Sequence, residues 1–177
     1  MNLLEELLAS VRHNSAPVRD VRVGVSWTGV WGERCGLAKT YGIPVVHGNY
    51  TRDMGRLTEK TTLELAEYSR SWNLVEASIG VAALNSMIDC RSATDVNAQE
   101  VIMREAKGKK VGVTGFFPFV PQLKKTAKEL WVFELDPSLL DPSEGVIIGT
   151  AEDSVIPECE MVILTGSALI NKSLERL

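Results

Sequence analysis

Apolar residues recur with a helical period at the start of the chain. Leu3, Leu4, Leu7 and Leu8 form one stripe with acids between them, which predicts an amphipathic helix. The period then drops to two. In VRVGVSWTG, Val21, Val23, Val25 and Trp27 share one face, the pattern of a half-buried strand, and Gly29 and Gly32 read as the turn after it. RCGLAKTY and IPVVH complete a small antiparallel meander backed by helices. TEKTTLELAEYSRS then places Leu63, Leu65, Ala66 and Ser69 near one helix face. Asn73 to Glu76 reads N-x-x-E, a side-chain-capped start with a reciprocal acid. It opens LVEASIGVAALNSMI, which is small or apolar all round and therefore reads as a buried helix.

The polar connector CRSATDVNA divides the chain into a first domain, 1–92, and a second, 93–177. Asn97 to Glu100 caps another helix, ending at Gly108, which suits a left-handed C-terminal cap. After it the pattern alternates. KKVGVTG is a strand, FVPQLKKTAK a helix, ELWVFELDP a strand. Thr150 to Asp153 caps a short helical turn, EMVILTG is a strand, and SALINKSLERL starts a helix. Strands separated by helices imply crossovers and a parallel sheet, here of about three strands, with helices on both faces. The fold class is therefore α/β: a small α+β domain followed by a parallel sheet with flanking helices. Ligands of such sheets bind outside the carboxyl ends of the strands.

Three motifs fall at those ends. The first is the loop from Gly112 to Pro121. It enters like a phosphate-binding loop, but a GxGxxG loop uses further glycines to let backbone approach a diphosphate. Here Phe116 and Phe117 fill that space, and Pro118 and Pro121 remove amide donors. A stiff apolar shelf beside Gly115 suits a flat heteroaromatic molecule, or else buries its rings against the first domain, a reading that applies at least equally to Phe119. The second motif is Glu134-Leu-Asp136-Pro137. Glu134 stands about 20 residues after Gly115, where an acid can accept hydrogen bonds from ribose hydroxyls, whereas Asp136, before proline, reads as a turn former. The third is Thr165-Gly166-Ser167, with Asn171 one helical turn later. Ser167 reads either as a plain N-cap or as part of an anion- or carbonyl-binding start. In the first domain Asn85 interrupts the apolar helix; it either bonds a neighbouring loop backbone or faces a cleft between the two halves.

Composition narrows the partners. The chain has 177 residues, 45% hydrophobic and 24% charged, with net charge −4. Its only dense basic stretch is Lys107 to Lys110, so a nucleic-acid partner is not expected. No apolar run approaches the roughly 18 residues of a membrane helix, and the N-terminus lacks a basic start; a cytoplasmic protein with no membrane contact is expected. Cys35, Cys90 and Cys159 are widely spaced and form no CxxC, which indicates neither a disulfide framework nor a zinc ribbon. His13 suits the end of the first helix, and His47 sits in a loop. Direct metal binding would require Cys35, His47 and Cys90 to converge in space.

The stretch MGRLTEKTTLELAEYSRSWNLVEASIGVAALNSMI, followed in order by KVGVTGFFPFV, FELDP and ILTGSALINKSLERL, resembles a family of unknown biochemical role labelled "putative heavy-metal chelation". The resemblance implies an enolase N-terminal-like domain followed by a Rossmann-like domain. It also implies a ligand in the cleft between them, near Gly115, Glu134 and Thr165. The implied chemistry is condensation or hydrolysis in making a flavin-, pterin- or siderophore-like chelator. The alternatives are a non-catalytic binder of a metal chelate and direct coordination through Cys and His. The family often has Gly-His-Phe-Pro where this chain has Phe116 after Gly115, and no general base or nucleophile is evident, so catalysis is left open and no cofactor is indicated. Relatives continue past the last helix. The stop at Leu177 reads as a fragment or a shortened member, and an uncovered sheet edge and helix face would favour a homodimer.

Overall fold

The structure, a computed structural model, describes residues 3–41, 50–141, 146–148 and 152–174. These form two compact units: residues 3–92 together with 166–174, and residues 93–165.

In the first unit, α1 (Leu3–Val11) buries Leu4, Leu8 and Val11, the inner half of its leucine stripe. Strands β1 (Asp20–Val23), β2 (Trp27–Trp31) and β3 (Cys35–Lys39) follow as an antiparallel sheet in that order. The strand expected to run through 21–29 is broken: Val23 pairs with Thr28, and Gly24 N donates to Trp27 O across a turn. The alternation stayed in phase across that turn by coincidence, and Val25, 98% exposed, is its tip. The buried face is carried instead by Thr28, Val30 and Ala38, while Trp27, Trp31 and Leu37 point outward. The strand expected at IPVVH, with His47, lies outside the described residues.

Helix α2 (Thr62–Ala66) continues into a 3₁₀ turn at Glu67–Arg70, and α3 (Leu74–Met87) is buried along nearly its whole length. Both N-termini are capped, and that of α3 follows the sequence in its Asn73 cap but not in the reciprocal acid. Asn73 does accept from the amides of Val75 and Glu76. Glu76 does not reciprocate: its carboxylate is taken by Arg52. The reciprocal box belongs to Thr61 and Glu64, where each side chain accepts from the other's amide. The segment after residue 165 forms a 3₁₀ turn at Gly166–Leu169 where an α-helix was expected. Ile170 enters the same core as Leu65, Ile79 and Leu84.

The second unit opens with α4 (Ala98–Glu105), capped by Asn97 and closed by Gly108 at φ 73°. Then come β4 (Lys110–Thr114), α5 (Val120–Lys124), β5 (Glu129–Glu134), β6 (Val146–Ile148), α6 (Glu152–Val155) and β7 (Met161–Ile163). Among the described residues the sheet has four strands, not three, all parallel, in the order β6-β5-β4-β7. β6 is only three residues long, too short to carry a period. Val111, Val113, Leu123, Val132 and Ile163 fill the core against the sheet. In order of appearance the strands lie third, second, first, fourth, which puts the reversal of winding between β4 and β7. In open α/β sheets that reversal is where ligands gather, outside the carboxyl ends. Among the described residues no helix is long and apolar enough to cross a membrane.

Candidate functional site

The carboxyl end of β4 is Thr114, and the chain leaves it through Gly115 at φ 90°, a left-handed backbone that favours glycine. Gly115 N donates to Phe133 O at 2.8 Å. The next amide, Phe116 N, donates to Glu134 Oε2 at 2.9 Å. Glu134 Oε1 accepts from the amides of Leu135 at 2.7 Å and Asp136 at 3.0 Å. One carboxylate thus ties the loop after β4 to the loop after β5. A carboxylate offers about four acceptor positions, and three backbone amides occupy three of them here. Thr114 Oγ1 donates to Ile163 O and accepts from Thr165 N at 3.3 Å, joining the end of β7 to the same rim. Gly115, Glu134 and Thr165 therefore stand together at one sheet edge.

The phenylalanines of the loop divide. Phe117 and Phe119 stack with ring centroids 5.1 Å apart and pack on the unit's own core. Phe116 stays 43% exposed, beside an exposed Pro118. The apolar shelf expected from Phe116, Phe117 and Pro118 is thus narrower, because the second ring has a better place inside. Asp136 accepts from Ser138 N and caps a 3₁₀ turn at Pro137–Leu139; a hydrogen bond from the Ser138 hydroxyl, and then this one from its amide, hold its carboxyl below the usual range.

The remaining candidates belong to the first unit. Asn85 donates to Leu37 O on β3 at 2.8 Å. Asn171 Oδ1 accepts from Ser173 N and Oγ, closing a local turn. Gly166 is exposed, and Ser167 accepts through its carbonyl from the amides of Ile170 and Asn171.

Sequence reasoning missed a polar cluster in the first unit. The Tyr68 hydroxyl donates to Asp53 Oδ2 at 2.5 Å, and Lys60 and Arg56 pair with the same carboxylate. Arg52 lies over the Tyr68 ring, 4.4 Å from its centre, and its backbone and guanidinium both donate to Glu76. Burial, and then the bond to Asp53, push the Tyr68 hydroxyl up to about 12. Burial works against the charge of Glu76, but hydrogen bonds from Ser71 and Arg52 outweigh it and leave the carboxyl below its ordinary value. The available signal was an acid at the third position of a helix whose other faces are apolar.

The proposed metal ligands Cys35, His47 and Cys90 include one, His47, that lies outside the described residues. Among the described residues no three His, Cys, Asp or Glu side chains gather where they could hold an ion. Cys35 and Cys90 are exposed in the first unit, and Cys159 lies in the second, where burial pushes its thiol up, away from the thiolate a soft metal needs.

Comparison with known proteins is consistent in both halves. Residues 97–177 match one family model and residues 4–88 another, and both are described as "Putative heavy-metal chelation". The chain belongs to this family. An uncharacterized protein of Methanocaldococcus jannaschii is 32% identical over 134 residues, which covers 73% of this chain and 50% of the relative. The chain thus spans about half the length of that curated relative. Two family members of unknown function have solved structures. That from Desulfitobacterium hafniense superposes with a TM-score of 0.81 at 24% identity, covering 98% of this chain and 71% of the other. That from Pyrococcus horikoshii gives 0.76 at 26% identity, covering 98% and 72%.

Proposed function

We propose that this chain binds a small heteroaromatic compound at the carboxyl edge of its parallel sheet, read as Rossmann-like. On this reading the family's link to heavy metals runs through an organic chelator of flavin-, pterin- or siderophore-like chemistry. The observation that carries the reading is the Glu134 clasp. It fixes the Gly115–Phe116 backbone beside Thr165, so that an aromatic ring is held half exposed where winding reverses. A half-exposed phenylalanine gains by covering its face with another ring, on the order of 1 kcal/mol beyond burial alone. Glu134 itself is a positioning residue, since its oxygens are mostly engaged.

Binding is favoured over catalysis by the same geometry. Condensation or hydrolysis needs a group that moves a proton. Phe116 has none, and the Glu134 carboxylate is occupied by amides. A carrier or chelate-binding role therefore comes before a role in making the chelator.

The test is thermal melting of the full chain with riboflavin, pterins, S-adenosylmethionine and divalent metal ions added separately. At about a hundredfold excess over Kd a ligand adds about 2.7 kcal/mol, several degrees in Tm for a chain of this size. A ring compound is expected to give such a shift, lost in Phe116→Ala and kept in a Cys35→Ser/Cys90→Ser double variant. A shift with metal ions alone, abolished in the double variant, would overturn the reading in favour of direct coordination.

A further inference from the structure

Beside Phe116 the second unit holds a cavity of about 710 Å³ between α5 and the stretch Ser138 to Asp141 with Val146 of β6. That volume is within the range of about 300–1,000 Å³ usual for small-molecule sites. Its walls are fixed. Asp136 Oδ1 accepts from both the amide and the hydroxyl of Ser138, which sets the turn carrying Leu139. Asp141 and Val146 exchange both backbone hydrogen bonds, at 3.0 and 2.9 Å, which pins the far side to β6. Val120 and Val146 close the floor as part of the core.

Two properties of the lining point to a ligand. The first is apolar surface left open: Leu139 is 45% exposed and faces the same cavity as Phe116. The second is charge. Lys124 and Lys125 both line the cavity, against one acid, Asp141. Lys124 and Asp141 have partners. The Lys125 ammonium has no hydrogen bond or ion pair among the described residues, its backbone amide alone donating, to Gln122 O. Open apolar walls with one uncommitted cation at the rim match an amphiphilic guest, apolar along its ring and negative at one end.

We infer that the compound bound at the sheet edge is an acid, and that its carboxylate or phosphate is held in this cavity by Lys125 while its ring lies against Phe116 and Leu139. This rests on the reading of the sheet edge as a ligand site. It adds the charge class of the ligand and a specificity residue that the strand-end motifs do not contain.

The experiment uses pairs of fluorescent probes that share a ring and differ in the acid: 6-methylpterin against pterin-6-carboxylate, and riboflavin against flavin mononucleotide. Affinities are measured by fluorescence titration of the full chain, wild type and Lys125→Gln, a substitution at an exposed position. A charge-assisted contact is expected to make the acidic member of at least one pair bind about tenfold tighter. That gap should fall at least about threefold in Lys125→Gln, and shrink with added salt, with the neutral member unchanged. A gain only with the carboxylate, or only with the phosphate, identifies which acid the cavity takes. Neutral and acidic members binding equally, or a gap that Lys125→Gln leaves intact, overturns the inference while the sheet-edge reading stands. No binding by any of the four compounds overturns both.

Discussion

Gly36 and Gly80 of the first unit and Gly115 of the second do opposite things. The first two mark places where backbones touch. A methyl group at Gly80 would lie 1.9 Å from Ser69 N, and one at Gly36 would lie 2.1 Å from Ala82 O. In the second unit, Gly115 is required by its left-handed backbone, yet the space around it is open: the nearest atom to such a methyl is Thr165 Cγ2 at 3.9 Å. The first unit therefore uses small residues to close a sheet onto α3, and leaves little room at those contacts. The second uses its glycine to turn the chain at an edge where volume remains. The contrast teaches where a guest can enter: a glycine with room around it marks a surface, whereas a glycine against backbone marks a core.

Substitution at these glycines tests the contrast with the largest effect. Gly80→Ala forces two backbones apart and is expected to cost about 3 kcal/mol or more, as severe overpacking does. Gly115→Ala meets only the conformational penalty of a positive φ, about 1–2 kcal/mol. Urea unfolding of both variants measures the difference, and equal losses would break the comparison. The loop phenylalanines give the next effect. Phe117→Ala removes a ring packed on the core and should cost about 2–3 kcal/mol, whereas Phe116→Ala should stay within about 0.5 kcal/mol while removing ring binding. If Phe116→Ala destabilises as much as Phe117→Ala, that ring is structural and not a ligand surface.

The smallest effect is on pH dependence, in the first unit. Tyr68 is 4% exposed and its hydroxyl is raised from an ordinary value near 10 to about 12. A group raised on folding favours the folded state below its unfolded value. That contribution is therefore whole below about pH 10 and is lost as pH climbs toward 12. Wild type should lose Tm faster than Tyr68→Phe over this window; parallel curves would contradict it. Asp53 has the opposite sign. The Tyr68 hydrogen bond, then Lys60, lowers its carboxyl, so its contribution is present above the ordinary carboxylate range and is lost on acidification.

What the sequence disclosed follows from how local each signal is. The caps at Asn73 and Asn97, the left-handed Gly108 and the buried character of α3 depend on residues a few positions apart, and all appear in the structure. The parallel character of the second sheet was legible because strand and helix periods alternate there. The turn at Gly24 was hidden because valines on both sides kept the same parity. β6 was hidden because three residues cannot show a period. The double role of Glu134 was illegible for another reason: which amides a carboxylate accepts depends on the loop after β4, 18 positions earlier at Phe116. The partition of Phe116 from Phe117 and Phe119 is likewise decided by which rings pack on the unit's core, a matter of packing and not of pattern. The cavity walls join Phe116 to Leu139 and Val146, residues that no motif connects.

The most direct test of a ligand site at the sheet edge is an amide chemical-shift map of the full chain titrated with flavin mononucleotide and, separately, pterin-6-carboxylate. With at least one of them, the largest changes are expected at Phe116, Lys125, Leu135, Asp136 and Leu139, with the amides of β1 to β3 nearly unmoved. Changes centred on the first unit, or a rim that stays silent while both compounds saturate the protein, would contradict it.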